Sequence, residues 1–174
     1  MSYEFKVEEY DFIWNNWFIQ IKTYFEKQLS GLVLRIEHVG STAVPGMVAK
    51  PIIDLDLVIE ETNFNQIRIK LEQLGYIHQG DLGIEEREAF KLLNEGLKQS
   101  LPPHHLYVCK EDSIELKRHI ALREFLKRNS KESKEYSEIK RKLYKKFKDD
   151  KESYIEGKDS IIKGILSKAL EDMD

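Results

Sequence analysis

The strongest constraint on the fold is an apolar segment, residues 52–59, that contains two aspartates at alternate positions, Asp54 and Asp56. In an extended strand successive side chains point to opposite faces, so both carboxylates share one face and the aliphatic neighbours share the other. Two carboxylates on one face of a buried strand repel each other, and they are costly to desolvate unless a cation or a polar cleft receives them. The segment therefore predicts a strand with one core face and one site face, and a divalent metal is the ligand that suits such a pair.

A Gly-Ser turn, Gly40 and Ser41, precedes this strand. Glycine lets a backbone approach a ligand closely, and successive backbone N–H groups form a nest for anions. The turn is therefore a candidate cradle for phosphates, assisted by the Ser41 hydroxyl. The alternative is a plain turn followed by aspartates that cap neighbouring loops.

Hydrophobic periodicity and turn residues predict an α+β fold with a C-terminal helical bundle packed on it. One domain of 174 residues is expected, with a sheet-containing core over about 1–112 and a helical part over about 113–174. The predicted helices span 11–29, 63–74, 114–128, 133–147 and 153–171. The predicted strands span 33–39, 52–59, 76–78, 90–93 and 105–108.

Composition narrows the class of protein. The single cysteine, Cys109, provides neither a disulfide framework nor a thiolate metal cluster. The first nine residues lack the basic and apolar regions of a secretory signal, and no stretch approaches eighteen consecutive apolar residues. A soluble, cytoplasmic protein is therefore expected, with no membrane partner and with an oligomeric state that the sequence leaves open.

The net charge of -3 conceals a basic run, because Lys127 to Lys148 holds ten basic residues and three acidic ones. Such a run can meet phosphates, although a solvated helix face explains most charge runs. An RNA-binding role for this region is one alternative. Overall acidity and the absence of interleaved base-stacking motifs argue against nucleic acid as a partner.

Two further lysines stand out in the C-terminal helices. Lys158 falls on the apolar stripe that includes Tyr154, and Lys140 lies beside the stripe that begins at Tyr136. A lysine at such a position must either snorkel to solvent or find an anion, and these alternatives stay open. Both tyrosines are candidates for stacking on a base or for core packing.

A Gly-Ser turn followed by Asp-x-Asp on the next strand resembles the core signature of the nucleotidyltransferase superfamily, which includes polymerase-beta-like and antibiotic-modifying enzymes. The longer string over residues 38–46, HVGSTAVPG, continued by AKPIID over 49–54, resembles the GrpB family more specifically. That family also occurs as a domain appended to dephospho-CoA kinases.

The resemblance extends along nearly the whole chain, since further family-like elements follow in order: Arg87 with Phe90, His105-Leu106, LREFL over 122–126, Tyr136 with Lys140, and Tyr154 with Lys158. Two departures occur. The family's His-Leu-His-Val strand reads HLYV over 105–108 here, which removes one possible ligand or base. The family's Phe-Arg-Asp reads LRE over 122–124, which keeps the carboxylate.

The resemblance implies a polymerase-beta-like fold, which is a mixed sheet with flanking helices. It also implies that the protein binds a nucleoside triphosphate with Mg²⁺ or Mn²⁺ and transfers a nucleoside monophosphate to an unknown small acceptor. Asp54 and Asp56 would then hold the metal. Cations are expected on the opposite wall to compensate the triphosphate. The apolar stripes of the C-terminal helices indicate Lys140 and Lys158 as members of this set. The resemblance supports Lys50, Arg87 and Arg123.

Superfamily enzymes generally use a third carboxylate on a neighbouring strand, and no obvious one is present. His105 shares a face with Tyr107 in the expected strand, so its imidazole is the candidate substitute as ligand, phosphate contact or base. Glu88 and Glu115 are reserve candidates for the carboxylate. Its absence favours a second hypothesis, a non-catalytic module that binds or senses a nucleotide or CoA.

Overall fold

The computed structural model describes residues 5–173. Residues 1–4, which belong to the segment that argues against a secretory signal, lie outside the described part. The strands are β1 Arg35–Val39, β2 Ile53–Ile59, β3 Tyr76–His78, β4 Arg87–Leu92 and β5 His104–Lys110. The helices are α1 Ile13–Gln28, α2 Phe64–Gln73, α3 Glu95–Ser100, α4 Ile114–Arg128, α5 Ser130–Lys146 and α6 Lys151–Glu171.

The five strands form one mixed sheet in the order β1-β2-β5-β4-β3. β2 is parallel to β5, and the other three pairs are antiparallel. Asp54 stands opposite His105 in this register, and Asp56 stands opposite Tyr107. The two central strands thus bring the predicted acidic strand beside the predicted histidine strand, and the expected α+β fold with a mixed sheet is confirmed.

One face of the sheet is an apolar core covered by α1 and α2. Ile53, Leu55 and Leu57 of β2 are completely buried there, and they pack with Leu106 and Val108 of β5. The helices contribute Trp14, Ile21, Phe25, Ile67 and Leu71. Burial of this many large aliphatic and aromatic side chains is the main stabilising term of the domain.

The opposite face is covered by the C-terminal helices, which pack against one another. Hydrogen bonds at the helix starts explain where two of them begin, because Ser113 accepts from the Leu116 N–H and Asp150 accepts from the Ser153 N–H. The loop over 40–50 lies between the sheet and these helices. It is fixed on one side by paired backbone hydrogen bonds between Glu8 and Ala49, of 2.8 and 3.0 Å.

Differences from the sequence-based elements are local. The segment between β4 and β5, expected to be a polar loop, contains α3, whose N-terminus is capped by the Asn94 side chain. α3 is too short for helical periodicity to be recognised. Among the described residues no helix is both long enough and apolar enough to cross a membrane.

Candidate active site

Alternation along β2 and β5 places six side chains on the face that the C-terminal helices cover: Asp54, Asp56, Val58, His105, Tyr107 and Cys109. His104 lies on the other face, where it hydrogen-bonds the Tyr76 hydroxyl. Both placements agree with the pattern predicted for the two strands. The candidate site is therefore a polar surface set between β2, β5, the loop over 40–50 and the C-terminal helices.

The Gly-Ser turn touches the first aspartate directly. Gly40 has φ of 75° and ψ of -174°, a backbone conformation that glycine alone adopts readily. A Cβ atom at this position would lie 2.5 Å from Oδ2 of Asp54. The glycine is thus required both by its own torsion angles and by the close approach of the turn to the carboxylate.

Asp54 forms a dyad with His105. His105 Nδ1 lies 2.8 Å from Asp54 Oδ1, and in the tautomer that donates from Nδ1 to the carboxylate, Nε2 is the acceptor nitrogen. Burial opposes ionisation of Asp54, but the His105 hydrogen bond and the charges of His105, Lys158 and Lys50 lower its pKa below the ordinary value. Asp54 is ionised at neutral pH, and its Oδ2 has no hydrogen-bond partner among residues 5–173.

Asp56 is completely buried and belongs to a second network. His119 of α4 donates from Nδ1 to Asp56 Oδ2 at 2.6 Å, and its Nε2 faces Glu115 Oε1 at 3.2 Å. Burial alone would lower the pKa of His119, but hydrogen bonds to the two carboxylates raise it to about 9. The imidazolium therefore bridges two anions, while Asp56 Oδ1 is buried without a hydrogen-bond partner in the described structure.

His119 is absent from the sequence-based candidates. It lies in the same helix as the candidates Arg123 and Glu115, but no motif joins it to Asp56, which is 63 residues away in the chain. Its only local signal is the spacing from Glu115, one helical turn earlier on the same face. Glu115, a reserve candidate for the third carboxylate, reaches Asp56 only through this histidine.

Arg87 is a buried cation without a hydrogen bond in the described part of the chain. Its side chain is 9% exposed, Nε is unpaired, and the guanidinium lies over the Tyr107 ring at 4.3 Å from the centroid. It lines a cavity of about 180 Å³ together with Ser41, Asp54 and His119. A buried guanidinium without an acceptor is costly, so it is suited to an anionic ligand.

A second, adjoining cavity of about 250 Å³ is the lysine pocket, defined by Lys50, Lys140 and Lys158 with Ser41, Asp54 and His105. Lys50 and Lys158 form neither a hydrogen bond nor an ion pair through their side chains within the described range. Burial lowers the pKa of Lys50 to about 8, and the charges of Lys158 and Lys151 act in the same direction. Repulsion between these ammonium groups favours the binding of an anion in the lysine pocket.

Lys140 connects the lysine pocket to the Gly-Ser turn. It is only 2% exposed, and its Nζ donates to Ser41 Oγ at 2.9 Å and to the carbonyl oxygen of Val48. Its ammonium also lies 4.5 Å from the centroid of the Tyr136 ring. Burial lowers the pKa of Lys140 to about 7, and the charges of Lys158 and Arg141 add to that effect. Lys140 does not snorkel to solvent, which was one of the two alternatives.

The two candidate stacking tyrosines are both buried. Tyr154 lines the lysine pocket and Tyr136 lines the cavity beside Arg87. Both also pack within the helical layer, so their rings serve as walls of the site.

The remaining cationic candidates have partners. Arg123 donates to Glu37 at 2.7 Å, to Glu124 at 2.7 Å and to the His38 carbonyl at 2.9 Å. In the basic run, Arg128 pairs with Asp172 and Arg141 pairs with Glu9. Arg123 therefore ties α4 to β1, and several charges of the run are neutralised by neighbouring carboxylates.

The residues fit a divalent cation only in part. Glu88 lies on the core side of β4, where it accepts from His78 at 2.6 Å, so it is not a third carboxylate at Asp54 and Asp56. Among the described residues no three His, Cys, Asp or Glu side chains form a metal cage. Asp54 Oδ2 has no hydrogen-bond partner in the described chain and lines the lysine pocket, whereas the orphaned Asp56 Oδ1 is fully buried. Mg²⁺ commonly takes one or two carboxylates with substrate phosphates. The donor set therefore suits a metal ion that arrives with a phosphate ligand.

Comparison with known proteins gives a consistent result. The model of the family described as GrpB protein matches residues 4–168. Glutamate-rich protein GrpB of Alkalihalophilus pseudofirmus is 32% identical over 158 residues, which cover 88% of this chain and 89% of that protein. UPF0157 protein BH1888 of Halalkalibacterium halodurans is 32% identical over 162 residues, covering 92% and 80%.

A longer relative and a solved structure extend the comparison. UPF0157 protein YqkA of Bacillus subtilis is 32% identical over 132 residues, which cover 75% of this chain but only 37% of that protein. The crystal structure of conserved protein GrpB from Enterococcus faecalis superposes with a TM-score of 0.83 at 29% identity, covering 97% of this chain and 99% of that one. The family-model match and the relatives agree with the resemblance carried by the HVGSTAVPG string: this chain belongs to the GrpB family.

Proposed function

We propose that this protein is a nucleotidyltransferase that binds a nucleoside triphosphate with Mg²⁺ or Mn²⁺ and transfers a nucleoside monophosphate to a small acceptor. One observation carries the proposal. Asp54 stands beside three pocket lysines, Asp56 follows it on the same face of β2, and Ser41 lines the pocket and accepts a hydrogen bond from Lys140. This juxtaposition matches a ligand that has a metal-bound phosphate at one end and an uncompensated polyphosphate at the other.

The pocket residues hold the polyphosphate in this proposal. Lys50, Lys140 and Lys158 compensate the β- and γ-phosphates, Ser41 lines both cavities, and Gly40 lines the cavity beside Arg87. Arg87, whose guanidinium has no acceptor among residues 5–173, faces the α-phosphate side. Their contribution to catalysis is to position the nucleotide and to stabilise the charge that develops during transfer.

Asp54 and Asp56 would hold the metal ion, which supplies charge neutralisation at the phosphates and lowers the pKa of an acceptor hydroxyl. The acceptor oxygen attacks the α-phosphorus, the bond from that phosphorus to the bridging oxygen breaks, and pyrophosphate leaves. His105 Nε2 takes the hydroxyl proton, since Asp54 holds the ring with Nδ1 as the donor. His105 thus fills the position of the missing third carboxylate as a base.

The test is a calorimetric titration of ATP, GTP, CTP and UTP with Mg²⁺, followed by a pyrophosphate-release assay. At least one nucleotide is expected to bind, with a loss of tenfold or more in Lys158→Met. Lys163→Met is the matched control, because Lys163 is an exposed lysine of the same helix outside the pocket. The absence of heat for all four nucleotides, with unchanged thermal stability, would overturn the proposal.

A second function is favoured by the lack of a third carboxylate at Asp54 and Asp56 within the described chain. In that case the protein is a non-catalytic module that binds a nucleotide or CoA. Pyrophosphate release that disappears in Asp54→Ala supports the enzyme. Metal-independent binding of ATP or CoA that Asp54→Ala retains, without turnover, supports the module.

A further inference from the structure

A further cavity lies next to the candidate active site. Its volume is about 650 Å³, and it opens between α3, β4 and the segment that contains Pro102 and Pro103. Ile52, His105 and Tyr107 line both this cavity and the lysine pocket. We call it the proline cavity. It adjoins the face of His105 that the polyphosphate site does not use.

The wall of the proline cavity is preformed. The Ile53 N–H donates to the Pro103 carbonyl at 2.9 Å, and His104 Nδ1 donates to the Pro102 carbonyl at 2.7 Å. His104 is itself held by the Tyr76 hydroxyl, which donates to Nε2 at 2.7 Å. A wall fixed by three hydrogen bonds needs little ordering when a ligand binds, and such preorganisation favours affinity.

The lining is apolar with a single unpaired cation. Apolar contacts come from Leu82, Phe90, Leu92, Leu101, Pro102 and Pro103. Of the two lysines, Lys98 is paired with Glu95 at 2.7 Å. Lys91 has neither a hydrogen bond nor an ion pair in the described structure, and it shares the site face of β4 with Ala89. An apolar chamber with one free cation suits an amphipathic anion.

We propose that the proline cavity binds the acceptor, a small molecule with an apolar body, one anionic group and a hydroxyl. This inference rests on the proposed function. The anionic group lies at Lys91, the body packs on Pro102 and Pro103, and the hydroxyl reaches His105 Nε2. The hydroxyl oxygen then forms the new bond to the α-phosphorus as pyrophosphate departs, and its proton passes to His105.

The experiment uses two probes, naphthalene-1-sulfonate and the neutral 1-naphthalenemethanol, in calorimetric titrations of the full chain. We expect one site, with the sulfonate bound at least tenfold more tightly than the alcohol. Lys91→Glu is expected to weaken sulfonate binding at least tenfold without weakening the alcohol. Lys70→Glu, an exposed lysine of α2, is the matched control and leaves both affinities unchanged.

Titrations are repeated with saturating ATP and Mg²⁺. Sulfonate binding that persists supports an acceptor cavity, whereas displacement by ATP assigns the cavity to the nucleotide and overturns the inference. ATP binding without any sulfonate binding, or a sulfonate affinity that Lys91→Glu leaves unchanged, also overturns it. If the protein binds no nucleotide but still binds the sulfonate through Lys91, the transfer reaction is excluded. The acceptor role of the proline cavity is then overturned together with the proposed function.

Discussion

The two faces of β2 differ in how completely their side chains are satisfied. On the α1 side, Ile53, Leu55 and Leu57 are fully buried in contact with other apolar groups. On the α4 side, Asp56 is equally buried, yet one of its carboxylate oxygens has no hydrogen-bond partner among residues 5–173. The Nε of Arg87, on β4, also has none in this part of the chain. One strand therefore carries a face that stabilises the domain and a face that costs stability.

The comparison shows where function is expected to reside. Buried polar groups are normally hydrogen-bonded, so unpaired ones mark a place where something other than the chain completes the bonding. Among the described residues, the apolar face of β2 carries no unpaired polar side chain. Variants on and around β2 test this distinction when their effects on the free energy of unfolding and on ligand affinity are measured separately.

The largest effect is expected for His119→Ala. Burial already raises the pKa of Asp56, and removal of the imidazolium leaves this carboxyl buried without its charge partner. The loss of one partner of a buried ion pair costs about 3–5 kcal/mol of unfolding free energy. Urea unfolding measures it. The double variant Asp56→Ala with His119→Ala should lose less than the sum of the single changes, and a single-variant loss below ~1 kcal/mol would contradict the buried pair.

Leu55→Ala addresses the opposite face at the adjacent position. Truncation of a fully buried leucine is expected to cost about 2–5 kcal/mol. Nucleotide affinity of the folded protein should be unchanged, because Leu55 faces α1. Calorimetry at a temperature well below the unfolding midpoint checks this, and a tenfold change in affinity would show that the two faces are not independent.

Gly40→Ala should affect both stability and binding. The backbone strain costs about 1–3 kcal/mol, and the new Cβ displaces the Asp54 carboxylate, so metal-dependent nucleotide binding is lost.

The control is Gly46→Ala in the same loop. Gly46 also has a positive φ of 82°, but no atom lies within 4 Å of its added Cβ. Gly46→Ala is expected to lower the free energy of unfolding through backbone strain without weakening nucleotide binding. Equal loss of binding in both variants would show that loop strain, and not contact with Asp54, is responsible.

The smallest effect concerns pH. Burial and neighbouring charges lower the pKa of Lys140 to about 7 and that of Lys50 to about 8, so each amine is charged below that pH and neutral above it. Affinity for inorganic tripolyphosphate should therefore fall, by roughly tenfold, between pH 7 and 9. Calorimetry measures it. Lys140→Met should flatten the lower part of the profile, and an identical profile in that variant would contradict the assignment.

Most of the fold could be predicted from the sequence because helical and strand periodicity are local. α4 begins and ends where the pattern predicts it, at Ile114 and Arg128, and β3 matches its predicted range. α3 was missed because six residues do not complete two helical turns. The shared face of Asp54 and Asp56 follows from strand geometry alone.

The candidate site could be predicted less completely. The resemblance and the pattern together supplied Gly40, Ser41, Lys50, Lys140 and Lys158, which the structure brings together around Asp54. His119 was missed, and Glu88, a reserve candidate for the third carboxylate, lies on the core side of β4, where it accepts from His78. Which helix residue reaches a strand depends on how the helices pack, and that is not encoded by local spacing.

By itself, the sequence determined the alternation of β2, the approximate positions of the five longer helices and the family. Only the tertiary structure decided that Lys140 reaches Ser41, 99 residues away, and that an imidazolium neutralises Asp56. The physical reason is that periodicity reports which face of an element is buried, whereas a charge partner is selected by desolvation and packing between distant segments.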